Sequence, residues 1–179
     1  MKGVIAVFGS AAPLPGSPDF ENARTVGRLL AEAGYGVATG GYSGIMTAVS
    51  QGACEAGGHV IGVTCKQIEQ FRPLGPNEWV KEEIKYDTLT ERLLHLVRHN
   101  DGMITLPGGI GTISEMTLAW SFLQVGEIPL RPFALLGKIW PTTVHAFFDP
   151  AYVKDEHMNL LYFADSPETA VAHVTQNRD

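Results

Sequence analysis

Residues 102–112 read Gly-Met-Ile-Thr-Leu-Pro-Gly-Gly-Ile-Gly-Thr, a short apolar run followed at once by a glycine-rich turn. The run predicts a buried strand over 102–106, and the apolar residues after the turn predict a helix over 113–125. The same order of strand, turn and helix recurs along the chain, with further strands predicted over 4–8, 36–39, 59–64, 132–136 and 160–164. Strands that alternate with helices at this spacing indicate βαβ units and a parallel sheet.

The segments between the strands carry helix signals. Helices are predicted over 20–33, 45–56, 88–99, around 142–148 and from Pro167 onward, besides 113–125. Ser17 and Ser166 are suitable N-caps for the first and last of them. Residues 65–83 contain two prolines and no clear period, so they are predicted to form a long loop whose role the sequence does not assign. We therefore expect a single α/β domain over 1–179, a Rossmann-like three-layer fold with a mainly parallel sheet.

Composition excludes several classes of protein. The 179 residues are 45% hydrophobic and 18% charged, as in ordinary globular chains, and the net charge is −6 with no long basic run. A nucleic-acid polymer or an anionic membrane surface therefore has no electrostatic basis as a partner. No apolar run is long enough for a membrane span or a signal peptide, and Cys54 and Cys65 form no Cys-x-x-Cys pair. A cytoplasmic location without disulfide or zinc is the expectation.

Three of the predicted strands end in turns of small residues, which meet at one edge of a parallel sheet. Glycine lets backbone N–H groups approach a ligand there, and helix N-termini attract negative charge. The turns predict a nucleotide or sugar-phosphate site formed by Gly9, Ser10, Gly40, Gly41, Gly44, Pro107, Gly108, Gly109, Gly111 and Thr112. The alternative is that each glycine only makes a tight turn.

Other ligand chemistry finds no support in the motifs. The first turn lacks Gly-x-Gly-x-x-Gly, and no Gly-x-x-x-x-Gly-Lys-Ser/Thr occurs, so a nicotinamide enzyme and a P-loop NTPase are both disfavoured. His95 and His99 are four residues apart but lack the glutamate of His-Glu-x-x-His, and a solvated helix face is the expectation for them. No metal and no organic cofactor is expected.

The stretch 107–115, Pro-Gly-Gly-Ile-Gly-Thr-Ile-Ser-Glu, resembles the Pro-Gly-Gly-x-Gly-Thr-x-x-Glu signature of the LONELY GUY (LOG) family. The segment from Gly40 to Met46 is similar to that family's Gly-Gly-x-x-Gly-Leu-Met, which adds Met46 to the implied binding residues. His-Val-Ile-Gly-Val at 59–63 also matches, and the resemblance spans residues 3 to about 136. The plant and bacterial members of the LOG family are cytokinin-activating nucleoside 5′-monophosphate phosphoribohydrolases and are usually homodimers. The apolar helix after Glu115 fits either deep burial or such a subunit interface.

The resemblance implies two catalytic residues, Arg92 and Glu115. Arg92 occupies the place of the arginine in the family's Met-His-x-Arg-Lys motif, but the Met, His and Lys are absent, and Ser114 replaces a usual acidic residue. These departures indicate a divergent branch, similar also to the molybdenum-cofactor carrier proteins. Some relatives carry a lysine decarboxylase label, yet no lysine here has a convincing pyridoxal phosphate context.

Cleavage of an N-glycosidic bond requires stabilisation of a cationic transition state and delivery of water, which Glu115 could provide. Arg92 would bind phosphate or assist the departing base. Simpler roles exist for both residues: Thr112-x-x-Glu115 has the form of a capping box, and Arg92 beside an apolar helix stripe could snorkel to solvent. The sequence thus predicts a purine nucleoside 5′-monophosphate hydrolase, with a non-catalytic nucleotide or molybdenum-cofactor carrier as the alternative.

Overall fold

The computed structural model describes residues 1–176, and the seven strands of this part of the chain lie in one sheet. The strands are β1 (Val4–Phe8), β2 (Gly36–Thr39), β3 (Val60–Cys65), β4 (Glu82–Tyr86), β5 (Gly102–Thr105), β6 (Phe133–Leu136) and β7 (Tyr162–Ala164). Their order is β4-β3-β2-β1-β5-β6-β7, and every neighbouring pair is parallel. The predicted parallel α/β sheet is confirmed.

Helices cover both faces of the sheet. They are α1 (Pro18–Glu32), α2 (Ile45–Glu55), α3 (Lys66–Phe71), α4 (Leu89–Arg98), α5 (Ile110–Val125), α6 (Ile139–Ala146), α7 (Asp155–Met158) and α8 (Pro167–Thr175). The core has two parts because strand side chains alternate between the faces: Ile5 and Val7 pack with α1, α2 and α8, whereas Ala6 and Phe8 pack with α4, α5 and α6. The expected three-layer arrangement is therefore present. Among the described residues, no helix has both the length and the apolar character needed to cross a membrane.

The connection between β4 and β5 reverses the direction in which the sheet grows. Strands β2, β3 and β4 are added on one side of β1, and the chain then crosses to place β5 on its other side. At such a switch point the turns after the two central strands diverge and leave a crevice for ligands. Here the turns remain linked, since the Ser10 backbone N–H donates to the Pro107 carbonyl at 3.1 Å.

The prediction of a loop over 65–83 is wrong at both ends, where helix α3 and strand β4 form instead. Helix α3 buries none of its side chains, and β4 is a charged edge strand that pairs only with β3. The sequences of both elements therefore lack the apolar periodicity by which helices and strands are predicted. The N-caps at Ser17 and Ser166 are confirmed, because each hydroxyl accepts a first-turn N–H.

Candidate active site

A cleft of about 540 Å³ lies at the carboxyl edge of the sheet, where the turns after β1, β2 and β5 meet. Its volume falls in the range of small-molecule sites. Eight of the residues predicted for the site line it: Gly9, Ser10, Met46, Arg92, Gly109, Gly111, Thr112 and Glu115. The structure thus brings together residues from all three segments of the chain on which the prediction depended.

Five further predicted residues do not line the cleft, namely Gly40, Gly41, Gly44, Pro107 and Gly108. Three of these positions shape it from behind. A Cβ at Gly40 would overlap the Arg92 guanidinium, and one at Gly108 would overlap the Thr112 side chain. Gly44 has φ of 66° and abuts the backbone of Ser10 and Ala11. The structural role of these glycines is to leave room for the residues that do face the cleft.

Arg92 reaches the cleft from α4 with its charged head buried. Its Nε donates to the Val63 carbonyl at 2.7 Å, and its Nη1 lies 3.6 Å from Glu115 Oε1. The guanidinium also lies 5.7 Å from the centre of the Tyr42 ring, within the range of a cation–π contact. Since only 7% of the side chain is exposed, snorkelling to solvent is the wrong description of Arg92.

Glu115 faces Arg92 from the second turn of α5. This helix begins at Ile110 with Gly109 as its N-cap, three residues earlier than predicted. The capping box expected for Thr112 and Glu115 is therefore wrong, because Thr112 already lies inside the helix. Burial raises the pKa of Glu115 to about 7, and the nearby Arg92 opposes the rise. A carboxyl group with this pKa can gain or lose a proton near neutral pH.

The first turn of α5 provides a site for an anion next to this pair. Gly109, Ile110, Gly111 and Thr112 all line the cleft, and the first N–H groups of a helix have no acceptors within it. No atom lies within 4 Å of a Cβ built at Gly109 or Gly111, so the space beside both glycines is open. Positive helix dipole and free donors together favour a phosphate or carboxylate group here.

Several lining residues were missed by sequence reasoning: Ala11, Ala12, Tyr42, Ser43, Ile68, Phe71, Arg72, Leu74 and Ile110. Tyr42, Ser43 and Ile110 lie inside the glycine-rich turns, where their neighbours already signalled the site. Ile68, Phe71, Arg72 and Leu74 belong to the segment predicted as a structureless loop, and no motif marks them.

The histidine pair on α4 lies outside the cleft. His99 is exposed as expected, but His95 is half-buried, with its Nδ1 2.8 Å from the Tyr86 hydroxyl, and burial lowers its pKa. The solvated face predicted for both residues is thus correct only for His99. Within residues 1–176, no group of three or more His, Cys, Asp or Glu side chains is placed to hold a metal ion.

Fold and cleft define a three-layer α/β protein with a cleft at the sheet's switch point, formed by a glycine-rich helix N-terminus and a buried arginine–glutamate pair. The model of the SLOG cluster4 family matches residues 2–125, and the chain belongs to this family.

Curated relatives of the chain are named as cytokinin riboside 5′-monophosphate phosphoribohydrolases. The chain is 38% identical to LOG5 of Arabidopsis thaliana over 74% of its own length and 59% of that protein's. It is 29% identical to the Mycobacterium tuberculosis protein over 93% and 90% of the two lengths, and 35% identical to LOG of Oryza sativa over 70% and 48%. The chain thus spans about half to three fifths of the plant proteins and nearly all of the bacterial one.

Similar solved structures are named as molybdenum-cofactor proteins rather than as phosphoribohydrolases. The molybdenum cofactor binding protein from Rippkaea orientalis is 27% identical, with a TM-score of 0.74 and coverage of 96% of this chain and 94% of that one. The molybdenum cofactor carrier protein of Chlamydomonas reinhardtii is 25% identical, with a TM-score of 0.75 and 98% coverage of both chains.

Proposed function

We propose that this protein is a hydrolase that cleaves the N-glycosidic bond of a purine nucleoside 5′-monophosphate to free base and ribose 5-phosphate. The observation that carries this proposal is the buried Glu115–Arg92 pair on the cleft, 3.6 Å apart, with the pKa of Glu115 raised to about 7. The names of the curated relatives support the same reaction class.

The residues divide the reaction between them. The phosphate binds at the first turn of α5, which leaves the sugar near Glu115, one turn further along the same helix. The Glu115 carboxylate orients a water molecule and accepts its proton as the oxygen attacks C1′, while its charge stabilises the developing oxocarbenium ion. The C1′–N bond breaks and its electron pair leaves with the base. The base takes up a proton from solvent, and Glu115 releases to solvent the proton that it accepted from the attacking water, so one water is consumed. Arg92, held by the Val63 carbonyl, stabilises the phosphate or the departing base.

A second candidate function is a carrier that binds a nucleotide or the molybdenum cofactor without chemistry. The similarity to the two molybdenum-cofactor proteins, which extends over nearly the whole chain, supports it. In a carrier, the buried pair would only hold the floor of the cleft in place.

Incubation of the protein with AMP and with isopentenyladenosine 5′-monophosphate, followed by chromatography of the free base, tests the proposal. We expect the wild-type chain to release base and Glu115→Gln to lower the rate by at least about 100-fold, since the amide cannot accept the proton of the water. Glu32→Gln is the matched control, because Glu32 pairs with Arg28 on the surface of α1 and does not line the cleft.

Two results would overturn these assignments. If the wild-type chain releases no base while AMP raises its Tm, the protein is a carrier. If Glu115→Gln retains the wild-type rate with an unchanged circular dichroism spectrum, Glu115 is not the catalytic base.

A further inference from the structure

Residues 66–77 form a strap along one side of the cleft. Four of its side chains line the cleft: Ile68, Phe71, Arg72 and Leu74. Helix α3, the first half of the strap, buries none of its side chains, and Phe71 is 80% exposed. Exposed apolar side chains on a cleft wall, in an element that contributes nothing to the core, indicate a surface shaped for a ligand.

Both ends of the strap are attached to the turn after β2, so its position over the cleft is defined. The Tyr42 hydroxyl accepts a hydrogen bond from the Cys65 N–H at 2.9 Å and donates one to the Cys65 carbonyl at 3.2 Å, just before the strap begins. At the other end, Asn77 Nδ2 donates to the carbonyls of Gly41 and Tyr42, both at 3.0 Å. Tyr42 therefore closes the strap into a loop.

Polar contacts to the edge of the sheet hold the outer side of α3. Lys66 pairs with Asp87 at 2.6 Å and Lys85 with Glu69 at 2.6 Å. The strap thus keeps Lys66 and Glu69 toward strand β4 and its neighbouring turn. Its apolar residues Ile68, Phe71 and Leu74 line the cleft together with Arg72.

Arg92 lies between the strap on one side of the cleft and helix α5 on the other. Its guanidinium lies 5.7 Å from the Tyr42 ring, which anchors the strap, and 3.6 Å from Glu115, which lies on α5. When the phosphate of a ligand occupies the first turn of α5 and its sugar reaches Glu115, the rest of the ligand therefore faces the strap. That part must be apolar enough to contact Phe71, and a planar ring stacks best on an aromatic side chain.

We propose that the strap is the ring-binding subsite of the cleft and that Phe71 stacks on the planar nitrogen heterocycle of a phosphate-bearing ligand. The Arg72 guanidinium lies 5.8 Å from the centre of the Phe71 ring, within the range of a cation–π contact. This inference rests on the proposed function, because it takes the phosphate end of the same cleft as given. It assigns the binding of the ligand's heterocycle to residues that no sequence motif identified.

Calorimetric titration of the full chain carrying Glu115→Gln, which keeps the ligand intact, tests the subsite with AMP and with ribose 5-phosphate. We expect AMP to bind more tightly than ribose 5-phosphate. Phe71→Ala should weaken AMP binding about tenfold and leave ribose 5-phosphate unchanged, because only AMP has a ring to stack. Phe71→Trp should retain the preference for AMP. Tyr152→Ala is the control, since Tyr152 is 84% exposed and does not line the cleft.

The inference is wrong if AMP binds no more tightly than ribose 5-phosphate, or if Phe71→Ala weakens both ligands equally or neither. Neopterin monophosphate, titrated in parallel, distinguishes the two sources of the ring: a Phe71-dependent preference for it over AMP supports a pterin ligand in the same subsite. Failure of hydrolysis is measured separately as base release by the wild-type chain, so the subsite and the proposed reaction are judged on different readouts.

Discussion

Glu115 and Arg92 come from different helices and form an ion pair that is almost fully enclosed, with 10% and 7% of the side chains exposed. Enclosure disfavours the charged carboxylate, and the adjacent guanidinium only partly compensates, so the pKa of Glu115 rises from 4.5 to about 7. Perturbed carboxyl groups in clefts are typical of functional sites, although buried structural pairs show the same effect. The stability of the protein must therefore depend on pH through this residue.

The sign of that dependence follows from the direction of the pKa shift. Between pH 4.5 and about 7 the folded chain keeps a proton on Glu115 that the unfolded chain has released, so the free energy of unfolding falls as the pH rises. The shift corresponds to about 3 kcal/mol in total. Because Glu115→Gln cannot titrate, the difference in unfolding free energy between wild type and variant should fall by this amount across the window and then level off. Urea denaturation at half-unit pH steps measures it, and a flat or rising difference contradicts the burial of an ionisable Glu115.

At the residue scale, the identity of the pair was predicted and its geometry was not. Arg92 and Glu115 follow from a motif resemblance, but sequence spacing alone allowed a snorkelling arginine and a capping glutamate. Burial decides between these roles and the candidate catalytic ones, and burial depends on which helices pack beside each other. The catalytic roles themselves remain predictions.

At the scale of elements, helices α1 and α2 approach each other through two glycines. A Cβ at Gly52 would overlap the Arg24 carbonyl, and one at Gly27 would overlap the Val49 carbonyl. Because both obstacles are backbone atoms, neither can turn aside as a side chain could. The glycines thus set how closely these two helices pack over the sheet.

Gly52→Ala tests this close approach. Alanine favours a helix by about 1 kcal/mol over glycine, yet we expect a net loss of about 1–3 kcal/mol in unfolding free energy, because the helices must separate. Gly111→Ala, measured in the same urea titrations, is the control: Gly111 also lies in a helix, but nothing lies within 4 Å of its added Cβ. If Gly52→Ala is as stable as Gly111→Ala, the helices are not limited by backbone contact.

Elements with a buried face were predicted well, and those without one were not. Strand β1 at Val4–Phe8 and strand β2 at Gly36–Thr39 have the predicted bounds, since both are buried and end in glycine-containing turns. Helix α3 and strand β4 escaped prediction because ion pairs and ladder hydrogen bonds hold them, and Tyr86 is the one residue of the two elements that packs against the described core. The ring-binding wall of the cleft lies in this part of the chain.

At the scale of the whole molecule, α5 buries one side and exposes a few apolar side chains among polar ones on the other. Met116, Ala119 and Leu123 pack in the core, whereas Ile110 and Val125 are exposed. Exposed apolar side chains on a helix of this kind favour self-association. The expectation of a homodimer remains a prediction.

Sedimentation equilibrium tests that prediction. We expect a mass of about twice the 19.4 kDa of one chain, and Val125→Lys should shift the species toward the monomer because it places a charge at an exposed apolar position. Lys154→Ala, at a charged and exposed position, should leave the mass unchanged. A wild-type species of 19.4 kDa at micromolar concentration contradicts the prediction.

The sequence by itself determined the alternation of strands and helices, the three glycine-rich turns and the resemblance of the segments around Arg92 and Glu115 to two motifs of one family. These are local properties, carried by hydrophobic period, turn chemistry and residue spacing. Only the tertiary structure decided that α4 and α5 lie on the same face of the sheet, which places Arg92 against Glu115. It also decided that residues 66–77, attached through Tyr42, lie along one side of the cleft. Both depend on the order of strands around β1, and strand order is a property of long-range packing that no local pattern contains.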